Sequence, residues 1–231
     1  MLEELKKQVW QANIELYRHG LIILTWGNVS GIDRDKGMFV IKPSGIPYLE
    51  LKPEDMVAVD LDGKVVDAKF NPSSDTPTHL VLYRTFKQIG GIAHAHSTYA
   101  TGFAQASMPI PCLGTTHADQ FHGEVPVTRL LTKKEVETLY EENTGKVIVE
   151  RFWSLDPVAV PGVLVASHGP FTWGKDAADA LTNCVTLEAI AEMALATMLL
   201  RPDVAALPRP ILEKHFTRKH GPSAYYGQKK K

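Results

Sequence analysis

Three histidines in two separated motifs carry the strongest chemical signal in this sequence. His94 and His96 lie in Gly91-Ile92-Ala93-His94-Ala95-His96, and His168 lies in Val163-Leu164-Val165-Ala166-Ser167-His168-Gly169-Pro170. Each motif is an apolar run that ends in imidazole. In an extended strand, residues i and i+2 share a face, with Cα atoms about 7 Å apart. Two imidazoles so placed can converge on one ion at roughly 2.0–2.1 Å per bond, and a third from another strand end leaves a position open for substrate. Such a donor set suits a catalytic zinc, although iron, manganese, cobalt and copper also accept imidazole. A lone histidine at a strand end is more often a hydrogen-bonded core residue. The paired spacing and the second apolar run shift the balance towards metal.

Three further segments combine small hydroxyl, glycine and amide groups: Thr25-Trp26-Gly27-Asn28-Val29-Ser30, Lys42-Pro43-Ser44-Gly45 and Asn71-Pro72-Ser73-Ser74-Asp75. Glycine lets backbone N–H groups approach an anion, and hydroxyls and a lysine add donors, which suits a phosphate. Each segment alone reads better as an ordinary turn. The absence of a P-loop or dinucleotide fingerprint argues against a nucleotide cofactor. Asp119, in Gly114-Thr115-Thr116-His117-Ala118-Asp119, can serve as a general acid/base or cap a turn. Asp75 can cap the helix after it or give an oxygen to the metal. Tyr225 and Tyr226 can supply a phenol proton, but spacing does not place them at a site.

Composition sets the frame for these groups. With 25 basic and 26 acidic residues the net charge is −1, so no overall field favours nucleic acid or an anionic membrane. A chain of 231 residues, 44% hydrophobic, can bury a large core, and a single domain over 1–231 with a short tail from about 221 is expected. Only Cys112 and Cys184 occur and they form no paired motif, which fits a reducing cytoplasm. The first residues lack an apolar signal region. Ala189 to Leu200, interrupted by Glu192, is too short to span a bilayer and reads as a buried core helix. The closing Lys229 to Lys231 reads as a solvated tail.

The elements that must position these groups follow from periodicity. Leu2 to Arg18 has helical spacing, with Gly20 as a C-terminal cap. Two short strands flank Gly31 to Gly37, and two more flank the Leu61-Asp62-Gly63 turn. Asp75 opens a helix with Pro77 in its first turn. The strand Gly91 to His96 follows, and then a short helix through Ala106 capped by Ser97 or Thr98. Thr132-Lys133-Lys134-Glu135 is a capping box. Val147 to Glu150 and Val163 to Ala166 read as strands, Asp176 to Arg201 as a long helix, and Pro210 to Lys219 as the last helix. Tight turns between strand pairs leave no room for helical crossovers. A three-layer α/β/α domain with a mixed, mainly antiparallel central sheet is expected.

Taken in order, these motifs resemble the class II aldolase family, and within it the branch of L-ribulose-5-phosphate 4-epimerases. The resemblance runs over residues 1 to about 228. It includes Pro72-Ser73-Ser74-Asp75-Thr76-Pro77-Thr78-His79, Pro161-Gly162-Val163-Leu164-Val165 and the ending His220-Gly221-Pro222-Ser223-Ala224-Tyr225-Tyr226-Gly227-Gln228. It implies zinc, or another divalent metal, at His94, His96 and His168, with Asp75 at or beside it. It implies that Gly27, Asn28, Ser44, Gly45, Ser73 and Ser74, aided by Lys42, bind a phosphate. Asp119 and Tyr226 match an acid/base pair, and Thr115, Glu141 and His215 match secondary positions. The implied reaction cleaves the bond between carbons 3 and 4 of a pentulose phosphate and re-forms it with carbon 4 inverted. A homotetramer with sites at subunit interfaces is implied as well, with no nucleic-acid or membrane partner. The family's aldolases carry glutamate where this chain has Asp75, and a metal-free cytoskeletal scaffold of the same fold would lack the histidines.

Overall fold

The computed structural model describes residues 2–221 and 224–227; the Lys229 to Lys231 tail lies outside the described residues. The chain opens with helix α1 (Glu3–Arg18), which ends at His19 with Gly20 in the left-handed region at φ 71°, the geometry glycine allows at a helix end. Seven strands follow: β1 (Asn28–Asp33), β2 (Met38–Ile41), β3 (Val57–Asp60), β4 (Val65–Asp67), β5 (Gly91–His94), β6 (Gly162–Val165) and β7 (Gly169–Gly174). Between and after them lie α2 (Thr76–Thr85), α3 (Thr98–Gln105), α4 (Thr115–Ala118), α5 (Lys133–Glu137), α6 (Tyr140–Arg151), α7 (Ala177–Leu200) and α8 (Arg209–Lys219).

The strands form one sheet in the order β4-β3-β2-β1-β5-β7-β6. All six strand pairings are antiparallel; the parallel element of the expected mixed sheet shrinks to an isolated bridge, Val127 to Leu164. Alternation of side chains gives the sheet two apolar faces. Val29, Val40, Ala58 and Ala93 pack with α1 and the first half of α7. Phe39, Ile41, Val57, Val59 and Ile92 pack with α2, α3, α6 and the second half of α7. The result is the expected three layers.

Four local expectations need correction. Val147 to Glu150 is the end of helix α6, with Asn143, Thr144, Gly145, Val147 and Ile148 forming its buried face. Ser97 occupies the N-cap position of α3, but its hydroxyl makes no cap bond. The second histidine strand stops at Val165, so His168 sits in the β6–β7 turn and β7 follows at once. The Ala189 to Leu200 segment is buried on one face only. Ile190, Ala191 and Ala194 are buried, whereas Met193, Leu195, Leu199 and Leu200 are exposed. By length and composition α7 could cross a membrane, yet its inner face is part of both cores.

Antiparallel pairing decides where the site forms. The start of β1, the end of β2, the end of β5 and the start of β7 all lie at one end of the sheet. Asn28 pairs with His94, and His94 pairs with Phe171, so these three side chains form one cross-strand row. Gly27, at φ 104°, is forced to be glycine there, because a Cβ would stand 2.8 Å from the His94 carbonyl oxygen and 2.6 Å from Ile22.

Candidate metal and phosphate site

His94 ends β5 and is buried. Its Nδ1 lies 2.9 Å from the Pro170 carbonyl oxygen. Donation to that oxygen fixes the tautomer and leaves Nε2 with a free lone pair. Pro170 has no N–H to continue the ladder, so β5–β7 pairing ends at His94 and Phe171. The chain beyond is released to carry His96. Phe171 stacks on the His94 ring at 4.0 Å. On the other side of the site, Val165 pairs with Gly169, leaving Ala166, Ser167 and His168 as the turn. Ser167 takes φ 60° there, a left-handed conformation costing a non-glycine residue about 1 kcal/mol. Its N–H bonds to the Ala104 carbonyl at 2.8 Å and that of His168 to Val165 at 3.0 Å, which anchor the turn.

The three rings meet as a nearly equilateral triangle, with centroids 4.9, 4.8 and 5.0 Å apart. One nitrogen from each lies within 4.8 Å of the others. Two nitrogens on a tetrahedral ion with bonds of roughly 2.0–2.1 Å stand about 3.3 Å apart; the His94 and His96 Nε2 atoms are 3.2 Å apart. Burial pushes the His94 and His168 imidazoles down to about 3 and lowers His96 as well. All three are therefore neutral at pH 7, the state in which imidazole ligates metal. The buried His168 Nδ1 has no hydrogen-bond partner among the described residues. The donor set fits a divalent metal.

Asp75 precedes α2 without capping it. Its Oδ2 instead accepts from the Asn28 amide at 2.7 Å and stands 4.0 Å from His94 Nε2. The same amide also reaches Ser73 Oγ at 3.1 Å. Asn28 thus spends its donors on orienting Asp75 and Ser73, and its Oδ1 is left buried without a partner among the described residues. The expected phosphate loops are tied to each other: Ser44 N–H bonds to the Asn71 carbonyl at 2.9 Å and Ser73 N–H to the Lys42 carbonyl at 3.0 Å. Lys42 is buried, with Nζ 3.2 Å from the Pro43 carbonyl and 4.8 Å from the Tyr48 ring centroid. Desolvation lowers it to about 8, which still leaves it mostly charged at neutral pH.

These groups line one cavity of about 550 Å³. It brings together twelve of the sequence-predicted residues: His94, His96, His168, Asp75, Gly27, Asn28, Lys42, Ser44, Gly45, Ser73, Ser74 and Glu141. Imidazoles and a carboxylate stand with serine hydroxyls and a lysine around a space large enough for a small phosphorylated sugar. Tyr140 and Trp26 also line it, and neither stood out in the sequence. Tyr140 opens α6 with its ring 6.2 Å from His168. Burial and the charges of Asp75 and Glu141 raise its phenol, keeping it protonated.

Asp119, Tyr226, His215 and Thr115 do not line this cavity. Thr115 is exposed at the start of α4, and Asp119 ends that helix. The Asp119 carboxylate receives Arg218 twice, at 2.9 and 2.5 Å, and His215 Nδ1 lies 3.0 Å away. Burial works against its ionisation, but the hydrogen bonds from Arg218 and His215 and the charges of Lys219 and Arg218 outweigh that and hold the carboxyl below its usual range. Tyr226 is exposed, with Lys219 Nζ 4.5 Å and Arg218 Cζ 5.0 Å from its ring centroid. An ionised carboxylate and a phenol beside two cations therefore form a second cluster, built on α4, α8 and the segment after α8.

The family model described as "Class II Aldolase and Adducin N-terminal domain" matches residues 7–195. Over 228 residues the chain is 54% identical to "L-ribulose-5-phosphate 4-epimerase UlaF" of Salmonella paratyphi A, covering 99% of this chain and 100% of that one. The protein of the same name from Salmonella typhi matches equally. Among solved structures, an L-fuculose 1-phosphate aldolase superposes with a TM-score of 0.78 at 28% identity, covering 93% of this chain and 95% of its own. YgbL of Klebsiella pneumoniae, titled a putative aldolase/epimerase/decarboxylase, superposes at 0.74 with 24% identity over 93% and 99% of the two chains, a likeness of fold.

Proposed function

The chain belongs to the class II aldolase and adducin N-terminal domain family, and from that premise we propose that it is a metal-dependent epimerase interconverting L-ribulose 5-phosphate and D-xylulose 5-phosphate. The observation that carries this reading is the cavity in which a triangle of neutral imidazoles shares its walls with Lys42, Ser44, Ser73 and Ser74. The full-length relatives named for that reaction support the substrate.

Carbon 4 of the pentulose bears no acidic hydrogen, since the carbonyl is at carbon 2, so deprotonation cannot invert it. Breaking the bond between carbons 3 and 4 yields an enediolate and glycolaldehyde phosphate, and rotation of the aldehyde before the bond re-forms inverts the centre. A bound metal, with zinc the candidate, supplies Lewis-acid stabilisation of the negative charge on the carbonyl half. The chain's own groups do the rest. Lys42, Ser44, Gly45, Ser73 and Ser74 hold the phosphate so that the aldehyde turns without leaving. Asn28 fixes Asp75 beside His94. Asp119 and Tyr226 take and return the proton of the carbon 4 hydroxyl from opposite faces.

Because Asp119 and Tyr226 stand apart from the cavity of their own chain, the reading places them in a neighbouring subunit's site, within a homotetramer. The exposed apolar end of α7, with Leu199 at 75% and Leu200 at 88% exposure, supports such assembly. The unpaired, buried cysteines support a reducing, cytoplasmic setting. Mixing inactive Asp119→Asn and His96→Asn subunits tests this arrangement. Random reassembly restores about a quarter of wild-type sites if each site draws on two chains. Mixtures as inactive as the parents contradict it. An aldolase of the L-fuculose 1-phosphate type is the second reading, favoured by the structural superposition, but the 54% identical relatives favour the epimerase.

A further inference from the structure

The segment carrying two of the three imidazoles runs from His94 through Ala95, His96 and Ser97 directly into α3. The positive end of that helix therefore begins two residues beyond His96, beside imidazoles placed to receive a cation. A serine at the N-cap ordinarily accepts from the first free N–H groups. Ser97 makes no such bond, and its Oγ is buried without a partner among the described residues. A residue 91 positions further along the chain takes over. Glu188, midway along α7, accepts from the Tyr99 N–H through Oε1 at 2.8 Å and from the Ala100 N–H through Oε2 at 2.9 Å. One turn later Glu192 faces the Tyr99 hydroxyl and raises that phenol.

We propose that Glu188 is a positioning residue for the metal centre, clamping the start of α3 so that the preceding chain presents His96 beside His94, and setting a carboxylate charge against the helix end and the cation. It lines no part of the cavity, so it acts through the chain it holds and through the charge it sets against the helix end. Charge-assisted hydrogen bonds are about twice as strong as neutral ones, and residues that orient metal ligands typically govern affinity 10–100-fold. The substitution Glu188→Gln keeps the size of the side chain but removes its charge, and the new amide NH2 would have to face an N–H donor.

The inference rests on the metal-centre part of the proposed function and on neither substrate nor reaction. Its test is zinc affinity, measured by competition with a chromophoric chelator, for wild type, Glu188→Gln and Glu188→Ala, together with urea unfolding of each metal-free protein. The expected result for Glu188→Gln is affinity weakened about 10–100-fold. If Glu188→Ala does not fold, Glu188→Gln still decides. A plain brace between α3 and α7 would lower metal-free stability and leave zinc affinity at the wild-type value, and that result overturns the proposal. Wild-type protein that binds no zinc would overturn the metal-centre reading itself, a different result from wild-type and variants binding equally.

Discussion

Ser30 belongs to the hydroxyl-rich segment that suggests phosphate binding, yet it points into the core. Its Oγ lies 2.7 Å from His79 Nδ1 and 2.7 Å from the Tyr83 hydroxyl, and all three residues are fully buried. Ser30→Ala would strand both partners at once, while His79 Nε2 already lacks a partner among the described residues. Leaving a buried polar group unsatisfied costs about 1–3 kcal/mol, so two stranded groups cost roughly 2–6 kcal/mol. Tyr83→Phe removes one hydroxyl but leaves Ser30 paired with His79, which costs about 1 kcal/mol. The double variant strands only His79, so its cost falls below the sum of the single changes by about 2–4 kcal/mol. Urea unfolding of the metal-free proteins at one concentration measures all four corners. Ser30→Ala within about 1 kcal/mol of wild type, or strict additivity in the double variant, would refute the reasoning.

Two other outcomes follow from the packing and the buried charges. Burial lowers His117 to about 4, partly offset by its hydrogen bond to the Gly123 carbonyl, against about 6.5 in the unfolded chain. The unfolded chain thus binds more protons between these values, and the stabilisation, complete above about 6.5, is lost as pH falls towards 4, at up to about 1.4 kcal/mol per pH unit. Metal-free His117→Gln, which keeps a donor for Gly123, should show a flatter decline between pH 6.5 and 5 in urea titrations; an unchanged slope counts against a buried neutral imidazole. At Gly91 a Cβ would stand 2.3 Å from the Asp176 carbonyl and 2.4 Å from the Ala177 nitrogen. Backbone cannot yield as a side chain does, so Gly91→Ala should cost about 3 kcal/mol or more, read as a lowered thermal midpoint.

The site was legible where chemistry is local and obscure where it depends on distant chain. His94 and His96 announce themselves by spacing, and the loops at Lys42 and Ser73 by composition. What the sequence hides is that Asn28 works on Asp75, and that Glu188 replaces Ser97 as the cap, since both depend on partners 47 and 88–89 residues away. Val147 to Glu150 misleads because four residues cannot separate a period of 2 from 3.6, and β-branched side chains pack equally well on the inner face of α6. Strand β7 escapes notice because Gly169, Pro170 and Gly174 look like turn residues. Pro170 is tolerated because the β5–β7 ladder ends beside it. The second cluster, at Asp119 and Tyr226, could be named only from resemblance, as no spacing connects it to the histidines.

The proposed function turns on whether the imidazole triangle, loaded with metal, serves an inversion at carbon 4. The sharpest test follows L-ribulose 5-phosphate by 13C NMR with protein as purified, after chelation, and after zinc is restored. The expected product is D-xylulose 5-phosphate, lost on chelation and regained with zinc, with little glycolaldehyde phosphate released. Free glycolaldehyde phosphate as the main product would contradict this in favour of an aldolase, and turnover undiminished by complete metal removal would contradict the role given to His94, His96 and His168.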